Sequence, residues 1–263
     1  MREIVETNQM TLAQKKFDLP KLADLINKGY LADGREPSDR AKKSFAPSGI
    51  GYGSGTCARQ WFYAFTGGVV REESADATGI ANMAYGTDAH TRIQKVFKNT
   101  GILVEAERKI NTIGSDTFPP ILGFADLVIK WQGEEAVGEI KTTTQESYVS
   151  KKAKNQPAGY HLLQVLIYMK VMGLNKGFLI YENKNQQNLL VLPVTWNPTN
   201  KKFIDDVFAW MTTTYKAWED EQKPTRPFKS DKSPACKSCA FKTHCWTDKE
   251  DGVVELPVLE VPK

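Results

Sequence analysis

Cysteine and histidine are scarce in this chain: four of the first and three of the second among 263 residues. So few thiols exclude a disulfide framework as the basis of the fold and point to metal or redox chemistry. Long apolar runs are missing too. No stretch approaches the ~20 apolar residues of a membrane span, so no membrane partner is expected. The opening MREIVETNQMTLAQKKFDLP lacks the apolar centre of a secretory signal, and a cytoplasmic location is the expectation. A strong charge of one sign is also absent. The 35 basic and 31 acidic residues leave a net +4, which permits a nucleic-acid partner without demanding one. Internal repeats are not found. The rest is ordinary for a globular protein: 41% hydrophobic and 25% charged residues, in a length that lets one domain bury a full core.

The few cysteines are placed in a telling way. Cys236, Cys239 and Cys245 form a C-x2-C-x5-C group, and Cys57 stands far upstream. Together they supply four soft ligands, which suit an iron–sulfur cluster or a zinc ion joining two distant parts of a domain. The plainer alternative is a buried core thiol at Cys57 and a partial zinc knuckle in the other three. Just before Cys57, Gly49, Gly51, Gly53 and Gly55 lie in a loop. No Gly-Lys-Ser/Thr follows them and no hydrophobic strand precedes them, so neither a phosphate-binding loop nor a dinucleotide fingerprint is present.

Periodicity gives the elements. Leu19, Leu22, Leu25 and Ile26 have helical spacing and predict a short amphipathic helix in a polar lead-in, residues 1–45. Residues 56–65 predict a helix carrying Cys57 in its first turn, and 81–97 a second helix in which His90 shares a face with Ile93 and Phe97. From 102 the period changes. Segments 102–113, 121–131 and 136–144 predict a three-strand meander. A strongly apolar helix at 160–172 is stopped by Gly173. Two strands follow, at 177–182 and 189–195, then an amphipathic helix at 203–218. A Pro- and Lys-rich linker leads to the cysteine group, and 247–263 reads as a loose tail. The order predicts an α/β fold, a mixed central sheet flanked by helices.

Charged residues in the meander suggest chemistry. Glu139 and Lys141 are two apart in a strand, so they share a face. Asp126 lies in the preceding strand, within reach across a short turn. Three charged side chains gathered there are costly unless they face a metal or each other. Carboxylates, with the Ile140 backbone carbonyl between them, suit Mg²⁺ or Mn²⁺. A cation so held polarises a phosphodiester and activates water, and Lys141 would position that water and offset phosphate charge. The plainer alternative is a surface hairpin of alternating charge. On the apolar helix that follows, Gln164 and Tyr168 are polar residues four apart on one face.

With these residues in view, the chain resembles the iron–sulfur branch of the PD-(D/E)XK nucleases, in the RecB-like group. Its members include the CRISPR-associated four-cysteine exonuclease, the AddB-type nuclease domain and small standalone phage relatives. The resemblance runs from about Cys57 to Cys245, and it implies one restriction-endonuclease-like nuclease domain over 46–246. His90 in the YGTDAH segment, Asp126 in GFAD, and Glu139-Ile140-Lys141 match the family's metal and catalytic positions. Gln164 and Tyr168 match its Gln-x-x-x-Tyr helix, which implies backbone contact with DNA and support for the site. Cys57, Cys236, Cys239 and Cys245 match its ligands for a structural [4Fe–4S] cluster, a clasp joining the N- and C-terminal parts. The resemblance further implies a Mg²⁺- or Mn²⁺-dependent DNA exonuclease acting at ends or single-stranded tails, with endonuclease side activity allowed. Its settings would be DNA recombination, processing or CRISPR spacer acquisition, in the host cytoplasm if phage-encoded. A homo-oligomer or a recombination or CRISPR protein partner would fit such a setting. Arg59, Arg92 and, in a loop expected after the active-site strand, Lys151, Lys152 and Lys154 are candidate DNA contacts; Trp61, Phe62 and Tyr63 read as core. The competing functions are a DNA-binding scaffold that keeps the fold without activity, and a zinc-bound interaction module using the three clustered cysteines and His244.

Overall fold

The computed structural model describes residues 19–34, 36–72, 75–249 and 253–262. Positions 1–18 and 35 of the polar lead-in therefore lie outside the described residues. Its helix, α1, runs Leu19–Ala32, but Leu25 and Ile26 stay exposed, so the expected apolar side is not buried in the core. Helix α2 (Ala58–Thr66) and the long α3 (Ala77–Thr100) follow. Helix α3 starts before the predicted boundary because the Asp76 side chain caps the Gly79 N–H, and it ends where Gly101 turns left-handed.

Strands β1 (Leu103–Asn111), β2 (Leu122–Trp131), β3 (Glu134–Thr143), β4 (Lys176–Asn183) and β5 (Leu189–Thr195) form one mixed sheet in that order. Only the β3–β4 pair is parallel. Strands β2 and β3 are joined by Gln132-Gly133, both at positive φ, the two-residue turn that matches strand twist. Between β3 and β4 the chain makes α4 (Gln145–Lys154) and α5 (Gly159–Met172). Helix α4 replaces an expected loop. Its sequence hides it, since Tyr148 is its one buried side chain, but Thr144 caps it and Asn155 ends it.

Two apolar layers sandwich the sheet. On one face α2, α5 and α6 (Pro198–Glu219) pack around Trp61, Phe65, Leu166, Val207 and Met211. On the other, Ile93 of α3 meets Leu127, Ile140, Phe178 and Ile180. The predicted α/β class and flanking helices are therefore present. The C-terminal part is built from very short pieces: β6 (Lys223–Pro224), α7 (Pro234–Lys237), α8 (Lys242–Thr247) and β7 (Val253–Val254). The segment after 253 is not loose. Leu259 is buried and donates its N–H to the Thr56 carbonyl, and Trp210 donates to the Pro257 carbonyl.

Candidate active site

Strand register builds the site. Strands β2 and β3 pair only as far as Leu127 opposite Gly138, and beyond that they splay. Asp126 fills the gap: its Oδ2 accepts the Ile140 N–H at 2.6 Å, replacing a ladder bond. Its other oxygen lies 3.3 Å from His90 Nδ1 on α3. Alternation in β3 puts Val137, Glu139 and Lys141 toward α5 and leaves Ile140 against α3.

From α5, Gln164 donates to Glu139 Oε1 at 2.8 Å, and Lys141 Nζ sits 2.7 Å from that same oxygen. Gln164 also donates to the Tyr168 hydroxyl, which donates to the Phe124 carbonyl at 2.8 Å. The four-residue spacing of Gln164 and Tyr168 thus ties β2 to β3 through buried hydrogen bonds. Glu139 is almost wholly buried, and its Oε2 has no hydrogen-bond partner. Burial raises the Glu139 pKa, nearby Asp126 adds to the rise, and Lys141 and His90 oppose it. Burial pulls His90 down, but the hydrogen bond and charge of Asp126 outweigh it and the pKa is raised.

One member escaped the sequence reading. Glu107 of β1 lies between the register pairs Ala106–Leu127 and Arg108–Ala125, so it stands beside Asp126. Its backbone has φ of 52°, a left-handed value that is uncommon away from glycine. Gln94 of α3 holds it, donating to Glu107 Oε1 at 2.6 Å and to the Asp126 carbonyl at 3.1 Å. Ligand atoms of His90, Glu107 and Asp126 all lie within 4.8 Å of one another, which suits a cation. Nothing in the spacing marks Glu107, because its place depends on the pairing of β1.

The four cysteines also come together. Cys57, Cys236, Cys239 and Cys245 line one pocket and carry no disulfide. Cys57 is the residue before α2, not in its first turn, and its side chain accepts no capping hydrogen bond from the helix. Burial pushes the Cys57 thiol up to about 12, with the nearby Gln60 and Arg59 backbone opposing the rise, and burial pushes that of Cys239 up to about 11. His244 stacks edge-on against Tyr63. Arg59 is not a surface contact. It is fully buried and donates to the Tyr63 hydroxyl, the Pro224 carbonyl and Asp248. Trp61 and Tyr63 are core, as expected. Arg92 reaches both carboxylate oxygens of buried Glu182, at 2.7 and 2.8 Å. Lys152 and Lys154 are exposed at the end of α4.

Comparison with known proteins places the chain. Among solved structures it is similar to LHK-Exo in complex with dAMP, at 14% identity over 68% of this chain and 89% of that one, with a TM-score of 0.50. An alkaline exonuclease (LHK-Exo) from Laribacter hongkongensis aligns at 14% identity over 68% and 87%, TM-score 0.46. A protein named SSO0001 aligns at 18% identity over 87% and 98%, TM-score 0.45. No curated protein matches the chain. Among the described residues, no helix is long and apolar enough to cross a membrane. The family model of the PD-(D/E)XK nuclease superfamily matches residues 102–246, more than half of the chain and all the strands of the central sheet, and the chain belongs to that superfamily.

Proposed function

We propose that the protein is a divalent-metal-dependent DNA exonuclease working at DNA ends or single-stranded tails. The observation that carries this reading is the buried, unpartnered Oε2 of Glu139, near enough to Asp126 and His90 for their charges to act on it. A buried carboxylate oxygen without a partner is costly unless a cation or donor meets it. His90, Asp126 and Glu139, with the Ile140 carbonyl, would hold Mg²⁺ or Mn²⁺, and Glu107 stands beside them. The donor set of carboxylates, one imidazole and one carbonyl suits such a hard cation. A cation bound there polarises the phosphodiester and lowers the pKa of its water.

The chain's own groups do the rest. Lys141, held against Glu139 Oε1, presents its ammonium to the attacking water and to the charge growing on phosphate. Gln164 occupies that same Glu139 oxygen, which leaves Oε2 as the ligand. The Ile140 N–H fixes Asp126 Oδ2 and so leaves Oδ1 toward His90. Lys152 and Lys154 would follow the DNA backbone.

The four cysteines would hold a [4Fe–4S] cluster as a structural clasp. Their convergence on one pocket, with no disulfide between them, supports this. Digestion of end-labelled single- and double-stranded DNA with Mg²⁺ or Mn²⁺ tests the enzyme. Wild type should shorten the label, whereas Asp126→Ala and Lys141→Ala should not. Undiminished digestion by both variants would refute the assignment. Iron analysis and a visible spectrum of anaerobically purified protein test the clasp. About four irons per chain are expected, and stoichiometric zinc in a colourless protein would contradict the clasp.

A further inference from the structure

A line of aromatic rings leads from solvent toward Lys141, and the proposed chemistry does not use it. The Tyr52 and Tyr160 rings pack with centroids 4.7 Å apart, tilted at 48° to each other. Tyr160 meets His161 at 4.2 Å, and His161 meets Tyr181 at 5.5 Å. Tyr181 is the register partner of Lys141 in the parallel β3–β4 pair. The line begins in the open, since Tyr52 is 61% exposed, and ends in the core, where Tyr181 is fully buried. Lys151 of α4 lies 5.0 Å over the Tyr181 ring.

Tyr52 is exposed without being loosely held. Its neighbours Gly51 and Gly53 both have positive φ. A Cβ on Gly51 would come within 2.7 Å of Leu163, so the loop is pressed against α5. A Cβ on Gly53 would meet the Ser238 hydroxyl at 3.1 Å, between Cys236 and Cys239. The loop is thus wedged between α5 and the cysteine region, and Tyr52 is exposed from a fixed position. Burial raises the Tyr160 pKa, with Tyr52 adding to the rise and Lys141 opposing it.

We propose that Tyr52 and Tyr160 form a stacking platform for the unpaired bases of a single-stranded DNA end, feeding the strand toward Lys141. This rests on the nuclease reading above. Bases inside a duplex already cover each other's faces, whereas an unpaired base offers a π-face that an aromatic ring can cover regardless of sequence. The ammonium groups of Lys141 and Lys151 flank the inner end of the line, where phosphates of the same strand would need neutralising. An exposed ring at the outer end, a half-buried one behind it and cations inside match a single strand entering end-first.

Binding in EDTA tests this without any cleavage. The probes are a single-stranded oligonucleotide carrying 2-aminopurine near its end, and a blunt duplex. Wild type should bind the single strand and quench its fluorescence. Tyr52→Ala should weaken that binding about tenfold and remove most of the quench. Tyr52→Phe, which keeps the ring, should retain both. Tyr160→Leu should act as Tyr52→Ala does, and none of the three should change blunt-duplex affinity more than about twofold. The proposal is overturned if Tyr52→Ala and Tyr160→Leu keep wild-type affinity and quench, or if single strand and duplex weaken equally. A wild-type protein that quenches as expected but shows no metal-dependent cleavage would instead remove the nuclease reading and leave the platform standing.

Discussion

The carboxylate site and the cysteine pocket both gather residues from distant parts of the chain, but by different means. The carboxylates sit on β2 and β3, long strands fixed by register, and neighbouring helices supply the hydrogen bonds that orient them. The cysteine pocket has little regular structure of its own: α7 has four residues, α8 has six, and β6 and β7 have two each. Its order comes from buried Arg59 and from the Tyr63–Asp248–Lys223 hydrogen bonds. Helices that short are not stable by themselves. The carboxylate region is therefore preformed by its strands, and the cysteine region, on the proposed reading, would be completed by its cluster.

That contrast gives predictions, the largest first. Lys141→Ala should cut DNA cleavage by about 10²–10⁴-fold, the usual worth of one positioned proton-handling group. Iron content and melting temperature should stay at wild-type values. A fall in iron content would mean that the two regions are coupled. Arg59→Ala should do the reverse. Removing a fully buried, paired guanidinium should cost about 3 kcal/mol of stability by urea denaturation and lower iron retention. An unchanged urea midpoint would show that Arg59 does not organise the clasp.

The regions should also differ in pH dependence. Asp248 falls from its ordinary 3.8 to about 2: slight burial works against the shift, and the Lys223 and Tyr63 hydrogen bonds outweigh it. Its contribution is present above pH 3.8 and lost as pH falls through about 2. Asp248→Asn should flatten the acid limb of the stability curve there. Glu139 is shifted the other way, so the folded state holds its proton more tightly than the unfolded chain. Metal-free protein should therefore lose stability as pH rises above 4.5. Glu139→Gln should remove that slope, and the opposite sign of slope in wild type would contradict the site's electrostatics. The smallest effect belongs to the exposed end of α4. Neutralising Lys152 and Lys154 together should lower the salt slope of DNA binding by about two and leave kcat unchanged.

The two regions were also unequally legible in the sequence. Alternation placed Glu139 and Lys141 on one face, and four-residue spacing placed Gln164 beside Tyr168. Local rules decide both, because strands and helices set those directions whatever the rest of the chain does. Glu107 was invisible because it depends on β1 register and on a left-handed backbone that no residue type announces. Helix α4 was missed because a helix with one buried side chain has almost no apolar stripe. Arg59 was misread as a surface cation because its partners, Pro224 and Asp248, are far away in sequence. The C-terminal segment read as loose, although Leu259 is buried and bonded to Thr56. The platform at Tyr52 and Tyr160 was missed for the same reason: its two rings come from a loop and a helix that meet only in the folded chain.

Titration with Mn²⁺, followed by the loss of its free paramagnetic resonance signal, tests the central claim most directly. Wild type and Lys141→Ala should take up the ion alike, although only wild type cuts DNA. Asp126→Ala and Glu139→Ala should neither bind it tightly nor cut. Wild-type uptake by both carboxylate variants would contradict the account.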